Sequence, residues 1–298
     1  MDSLKTNTDI NYIIVTNTIK RPLFLVERSL RASLGQKIKP KKVILIDQNA
    51  SPVELPKDIL SNPLFERQKA EFGGVSAARN SLKIPTGVDW IFFCDDDGYP
   101  DSGYSETLLY LIYRHPELDI LAGNILREDT TINYTLRQKK GGSLKKFRNT
   151  KLLMGSNFVI RSAVFDELGR FDESFGAGSH WGSSEETDFC WKAYFAHKKM
   201  EFFKELVVYH VPPFQETIKA GFTKSYKYGV GKGALVWKWL IRKRKLIVLY
   251  ELIEMLLVPF ILMLRGAVTL KLPIITSNIA AIAGRITGFI KAAFSPRF

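Results

Sequence analysis

The chain has 298 residues, 46% of them hydrophobic and 24% charged, which is ordinary for a globular protein with a substantial core and room for one large α/β domain plus an appendage. Its formal charge is +13, yet residues 219–298 hold 14 Lys and Arg against only Glu251 and Glu254, so nearly all the excess sits in the tail. Cys94 and Cys190 stand in apolar surroundings without ligand spacing, which argues against a zinc site and fits a reducing compartment.

In chain order, Met1 to Asn11 is polar and lacks the apolar run of a secretory signal. Tyr12 to Thr16 predicts a short buried strand, and Leu23, Val26, Leu30 and Leu34 mark a helix that stops at Gly35. Val43 to Asp47 predicts a second buried strand ending in a carboxylate. Strand, helix, strand in this order implies a parallel pair with a right-handed crossover. Phe72 to Ser81 then combines a Gly73-Gly74 pair with a short helix capped by Ser76 and carrying Arg79, placed to meet a phosphate or simply to face solvent. Trp90 to Cys94 is apolar and ends abruptly in Asp95, Asp96 and Asp97. Three adjacent carboxylates repel one another and call for a cation, although a solvated acidic turn is the competing reading.

Further on, Leu108 to Tyr113 predicts a helix and Ile120 to Asn124 a strand. Residues 127–150 are polar and basic and predict a loop. Met154 to Ile160 resumes strand character, and Ser162 to Leu168 is helical. A glycine-rich loop, Phe175 to Gly182, includes Trp181 and leads into a helix opened by Glu185, Glu186 and Asp188. Acids in a first helical turn favour the helix dipole, but three in four positions exceed that need. Leu206 to His210 predicts a last strand. In open parallel sheets ligands bind at the carboxyl ends of strands, where Thr16, Asp47, Asp95 to Asp97 and His210 all fall.

The tail interleaves Tyr226, Tyr228, Trp237 and Trp239 with lysines and arginines up to Arg242-Lys243-Arg244-Lys245. Leu246 to Leu264 is apolar apart from two acids. Asn278 to Phe294 puts Ile279, Ile282, Ile286, Phe289, Ile290 and Phe294 on one side at helical spacing. Such a tail predicts attachment to an anionic membrane surface, monotopic rather than spanning. Nucleic acid is not expected as a partner, because the tail holds no finger, RNP or helix-turn-helix pattern.

Taken together, Ile14-Val15-Thr16, Val43 to Asp47, Gly74 to Asn80, Asp95-Asp96-Asp97, Gly155-Ser156-Asn157, Phe171-Asp172-Glu173, Glu185 to Asp188 and Tyr209-His210 resemble a family 2 glycosyltransferase over roughly residues 10–235. The resemblance implies a GT-A fold, an α/β Rossmann-like, mostly parallel sheet flanked by helices. It also implies a catalytic domain at 1–218 and a helical membrane-associating region at 219–298. It makes Thr16 and Asp47 holders of the nucleoside, with Asp47 on the base, and places Arg79 near the base or diphosphate. Asp95 and Asp97 match the two acids of the DxD motif: Asp97 on a divalent metal (Mn²⁺ or Mg²⁺), Asp95 shared with the ribose. Asp96 belongs to the same donor-binding turn as its structural member, and His210 completes the metal or diphosphate site.

One of Glu185, Glu186 and Asp188 would be the general base of an inverting transfer. Glu186 leads, although it stands where Asp is usual. Trp181 would stack on an acceptor sugar. The co-substrate would be a nucleotide sugar and the acceptor a lipid-linked saccharide of cell-envelope polysaccharide, at the cytoplasmic face of the cell membrane. A non-catalytic nucleotide-sugar or glycan-binding subunit on the same fold is the alternative.

Overall fold

The computed structural model describes residues 10–128, 130–212 and 217–296. The polar stretch 1–9 and Pro213 therefore lie outside the described residues. The elements in order are β1 (Tyr12–Thr18), α1 (Leu23–Leu34), β2 (Lys42–Asp47), α2 (Lys57–Leu60), β3 (Phe65–Lys69), α3 (Val75–Asn80), β4 (Trp90–Phe93), β5 (Gly98–Pro100), α4 (Tyr104–Arg114), β6 (Ile120–Arg127), α5 (Leu136–Lys140), β7 (Phe158–Arg161), α6 (Ser162–Glu167), α7 (Glu185–Phe195), β8 (Met200–His210), α8 (Ile218–Trp237), α9 (Leu249–Val268) and α10 (Leu272–Ala293).

The chain divides into two compact units. The first holds residues 1–72, 77–170 and 189–212; the second holds 73–76, 171–188 and 213–298. The glycine-rich loop and the acidic first turn of α7 group with the tail in the second unit.

The first unit is built on an eight-stranded mixed sheet ordered β3-β2-β1-β4-β7-β6-β8-β5. Strands β3, β2, β1 and β4 are parallel, and β7 is antiparallel to both of its neighbours. The near-continuous apolar runs of β1, β2 and β4 are buried along their lengths, as parallel strands covered on both faces require. Val26, Leu30, Leu108 and Leu111 of α1 and α4 join Ile14, Leu45 and Phe92 in one core cluster.

Several local features were not predicted, among them the short α2 and β5. β3 reads Phe-Glu-Arg-Gln-Lys, a polar edge strand whose alternation gives no buried face to detect. The 127–150 segment contains α5 and runs into a 3₁₀ turn, Phe147–Leu152, so it is not wholly loop.

The register of β6 against β8 slips between Gly123 and Asn124, a bulge. Asn157 fills it: its amide donates to the carbonyls of Asn124 (2.7 Å) and Leu206 (3.0 Å), and its oxygen accepts from the Tyr104 hydroxyl (2.8 Å). A Cβ at position 123 would overlap that amide and the Leu206 carbonyl, so only glycine fits. Past the bulge β8 pairs with β6 as far as His210 opposite Arg127, and with the short β5, where Gly98 lies opposite His210.

In the second unit α8 and α10 pack in parallel through facing Gly-x-x-x-Gly pairs, Gly229/Gly233 on α8 and Gly284/Gly288 on α10. A Cβ on Gly229 would stand 2.7 Å from the Ala281 carbonyl, and one on Gly288 would overlap the Val230 carbonyl. The α10 face made of Ala280, Gly284, Gly288 and Ala292 is thus the buried one, which leaves Ile279, Ile286, Ile290 and Phe294 exposed. α9 returns antiparallel to α10, with Gly266 against Ile274 and Ile275 and Arg285 donating to the Met255 carbonyl. Both the segment Leu246–Val268 and helix α10 are long and apolar enough to cross a membrane.

Candidate active site

The site grows from the C-terminal end of β4. Asp95 to Gly98 turns back on itself, the Gly98 N–H donating to the Asp95 carbonyl (3.1 Å), and hands the chain to β5. Because β5 pairs with the end of β8, this turn places Asp97 against His210: Nε2 lies 3.0 Å from the carboxylate. The other imidazole nitrogen, Nδ1, is 2.9 Å from the Val211 carbonyl, and Tyr134 meets the ring edge-on at 4.9 Å.

Ligand atoms of Asp95, Asp97 and His210 all lie within 4.8 Å of one another. Two hard carboxylates and an imidazole, partly open to solvent, are a donor set that fits Mn²⁺ or Mg²⁺.

The electrostatics of the turn are strongly coupled. Burial pushes the Asp96 carboxyl up to about 6, against the opposing pull of Arg21 and a hydrogen bond from Thr18. At Asp97 burial pulls the same way, but the hydrogen bond and charge of His210, with Arg21, outweigh it and hold that carboxyl below its ordinary value. Burial depresses His210, yet its bond to Asp97 and the nearby Asp95 raise it to about 9.

Arg21, which sequence reading passed over, is central here. Its Nε donates to Asp96 Oδ1 (2.8 Å) and its Nη1 lies 3.0 Å from Asp97 Oδ2, while Thr18 Oγ1 donates to Asp96 Oδ2 (2.7 Å). The signal was available in principle: β1 neighbours β4, so a residue shortly past the end of β1 reaches a cluster at the end of β4. Asp96 is 5% exposed and occupied by these partners, so it anchors the turn.

Several expected donor contacts are differently employed. Asp47 is buried. Its Oδ1 accepts from the backbone and side-chain amides of Asn49 and its Oδ2 from the Val53 N–H, so it holds its own loop instead of presenting a free carboxylate to a base. Arg79 is also buried, near the end of α3. Nη2 reaches Asp95 (3.1 Å) and the Gly155 carbonyl (3.3 Å), so it orients a ligand-set carboxylate from behind. Thr16 is fully buried in β1, and its hydroxyl has no hydrogen-bond partner among the described residues.

In the second unit, the acids of α7 differ sharply. Asp188 is 1% exposed, and its Oδ1 takes the Lys238 ammonium (2.6 Å) and the Trp239 indole N–H (2.7 Å). Lys238 also meets Asp172 at 2.8 Å, from a turn of π-helix at Lys238–Arg242. A carboxylate held this way is a structural anchor. Glu185 is buried too. Glu186 is half-buried and makes no side-chain hydrogen bond among the described residues, which leaves its carboxylate available. Trp181 is 2% exposed, packed with Phe175 and His180, so its ring has no open face for an acceptor sugar.

A family model described as Glycosyl transferase family 2 matches residues 14–169, which contain the Asp95–Asp97 turn, Arg21 and Arg79. The crystal structure of S. aureus TarS shares the fold, with a TM-score of 0.56 at 14% identity over 78% of this chain and 40% of that one. This chain therefore spans less than half of that protein's length. No curated protein matches it in sequence. The mixed sheet is GT-A-like, the matched model covers over half of the residues, and the chain belongs to glycosyl transferase family 2.

Proposed function

We propose that this glycosyltransferase is metal-dependent and inverting, and moves a sugar from a nucleotide-diphosphate donor to a lipid-linked saccharide of cell-envelope polysaccharide. The observation that carries this reading is the convergence of Asp95, Asp97 and His210 at the ends of β4 and β8. A divalent cation held by these three would neutralise charge on the departing diphosphate. Glu186, the available acid of α7, accepts the proton of the acceptor hydroxyl. The new C–O bond forms as the bond from the anomeric carbon to the diphosphate oxygen breaks, and attack on the opposite face inverts the anomeric centre.

The tail supports a monotopic seat on the cytoplasmic face of the membrane. The exposed faces of α9 and α10 are apolar, and Arg242 to Arg244 at the approach to α9 are exposed for anionic headgroups. A true span is disfavoured because α8 runs alongside α10 with Lys219, Lys224 and Lys227 exposed, and a spanning α10 would carry them into hydrocarbon.

Thermal-shift titration of a nucleotide-sugar panel with and without Mn²⁺ tests the donor and metal roles. One donor should stabilise the protein only with the ion present. Full turnover of that donor in excess chelator would refute the metal's part.

A further inference from the structure

Both oxygens of Asp97 are already engaged, Oδ1 by His210 Nε2 at 3.0 Å and Oδ2 by the Arg21 Nη1 at 3.0 Å. Arg21 has a second, separate anchor, because its Nε donates to Asp96 Oδ1 and Asp96 is itself held by Thr18. The guanidinium fork can therefore release Asp97 without leaving the site. Pro22 follows immediately and α1 begins at Leu23, so the backbone carrying Arg21 is fixed by a helix start. About a third of the side chain remains exposed, enough for an incoming anion to reach it.

Resting on the metal–diphosphate reading above, we propose that Arg21 is a positioning residue with two successive partners. Before loading it occupies Asp97 Oδ2 and competes with a divalent cation for that carboxylate. Once the cation takes Asp97, the freed Nη1 of Arg21, still tethered through Nε to Asp96, turns to an oxygen of the donor diphosphate. Arginine suits this exchange because its planar fork has several donors and stays charged throughout. Asp96 is thereby given a reason to exist: it pins the guanidinium at one edge.

The two halves make opposite demands on an Arg21→Ala variant. Removing a competing cation from beside Asp97 should tighten Mn²⁺ binding in the absence of anions. Removing a charge-assisted donor should weaken binding of inorganic pyrophosphate to the Mn²⁺-loaded protein by about tenfold or more. Arg21→Lys keeps a charge but cannot hold Asp96 and reach a second partner as a fork, so it should lose pyrophosphate affinity while gaining less for Mn²⁺.

The experiment is an electron paramagnetic resonance titration of Mn²⁺ on full-length wild type, Arg21→Ala and Arg21→Lys, followed by calorimetric titration of pyrophosphate at saturating Mn²⁺. A purely structural Arg21 would make both affinities fall together in the alanine variant, and that result overturns the proposal, as does an unchanged pyrophosphate affinity. If Arg21→Ala does not fold, Arg21→Lys decides by the same pair of affinities. Failure of the wild type to bind Mn²⁺ would instead overturn the underlying metal reading, and is visible before any variant is compared.

Discussion

At the scale of single residues, what separates a catalytic acid from a structural one here is the partner and not the carboxylate. Glu186 and Asp188 are two positions apart on α7, yet Asp188 is locked by Lys238 and Trp239 while Glu186 has no such partner among the described residues. Glu186→Gln should therefore leave Mn²⁺ affinity intact and lower kcat by about 10²–10⁴-fold, the usual worth of a general base, in a transfer assay with the identified donor. Lys238→Met should act on stability: it strands the buried Asp188, a loss of about 3–5 kcal/mol for one partner of a buried pair, measurable by urea unfolding. Asp172 adds a pH signature. Burial opposes its ionisation, but Lys238 and Ser174 overcome that and bring its carboxyl down to about 2. Its folded value is depressed, so its contribution is present above the ordinary carboxylate value of roughly 3.9 and lost as pH falls towards 2. Wild type should lose stability across that window, and Lys238→Met should lose less.

Among the elements, the bulge between β6 and β8 decides where His210 ends up. Without the slip at Gly123/Asn124, every residue of β8 beyond Leu206 would change its partner on β6, and His210 would not lie opposite Arg127. Asn157→Ala removes the donor to two strand carbonyls and the acceptor for Tyr104, each buried group left unpaired costing about 1–3 kcal/mol. We expect a lower unfolding midpoint together with weakened Mn²⁺ binding, because the register that brings His210 to Asp97 is loosened. A substitution that only cut global stability would leave Mn²⁺ affinity unchanged well below the midpoint. α8 and α10 depend on close backbone approach in the same way, and the glycine faces that allow it turn the isoleucines of α10 outward.

For the whole molecule, the uneven charge is the dominant physical fact. Nearly all of the +13 lies in residues 219–298, beside exposed apolar helix faces. Full-length protein should co-sediment with vesicles containing anionic lipid and be displaced progressively by salt. Replacing Arg242, Lys243, Arg244 and Lys245 by alanine should weaken binding by about 10²–10³-fold, at about 1 kcal/mol per basic residue near an anionic surface. Equal binding to neutral and anionic vesicles would rule out the electrostatic part.

The sequence by itself determined three of the four parallel strands and the acid cluster, because β1, β2 and β4 are continuous apolar runs whose ends announce themselves by a change to polar residues. It also determined the basic, apolar character of the tail, since charge and hydropathy are additive along a chain. Partnership was not legible in this way. Arg21 reaches Asp96 and Asp97 only because β1 and β4 are neighbours, and Lys238 reaches Asp188 across fifty positions of chain. Asp47 and Trp181 looked like free binding groups until burial and their own loops claimed them. Which side chains are spent on structure and which remain for chemistry was decided by tertiary contact alone, because a hydrogen-bonding group buried with a partner is no longer available to a ligand.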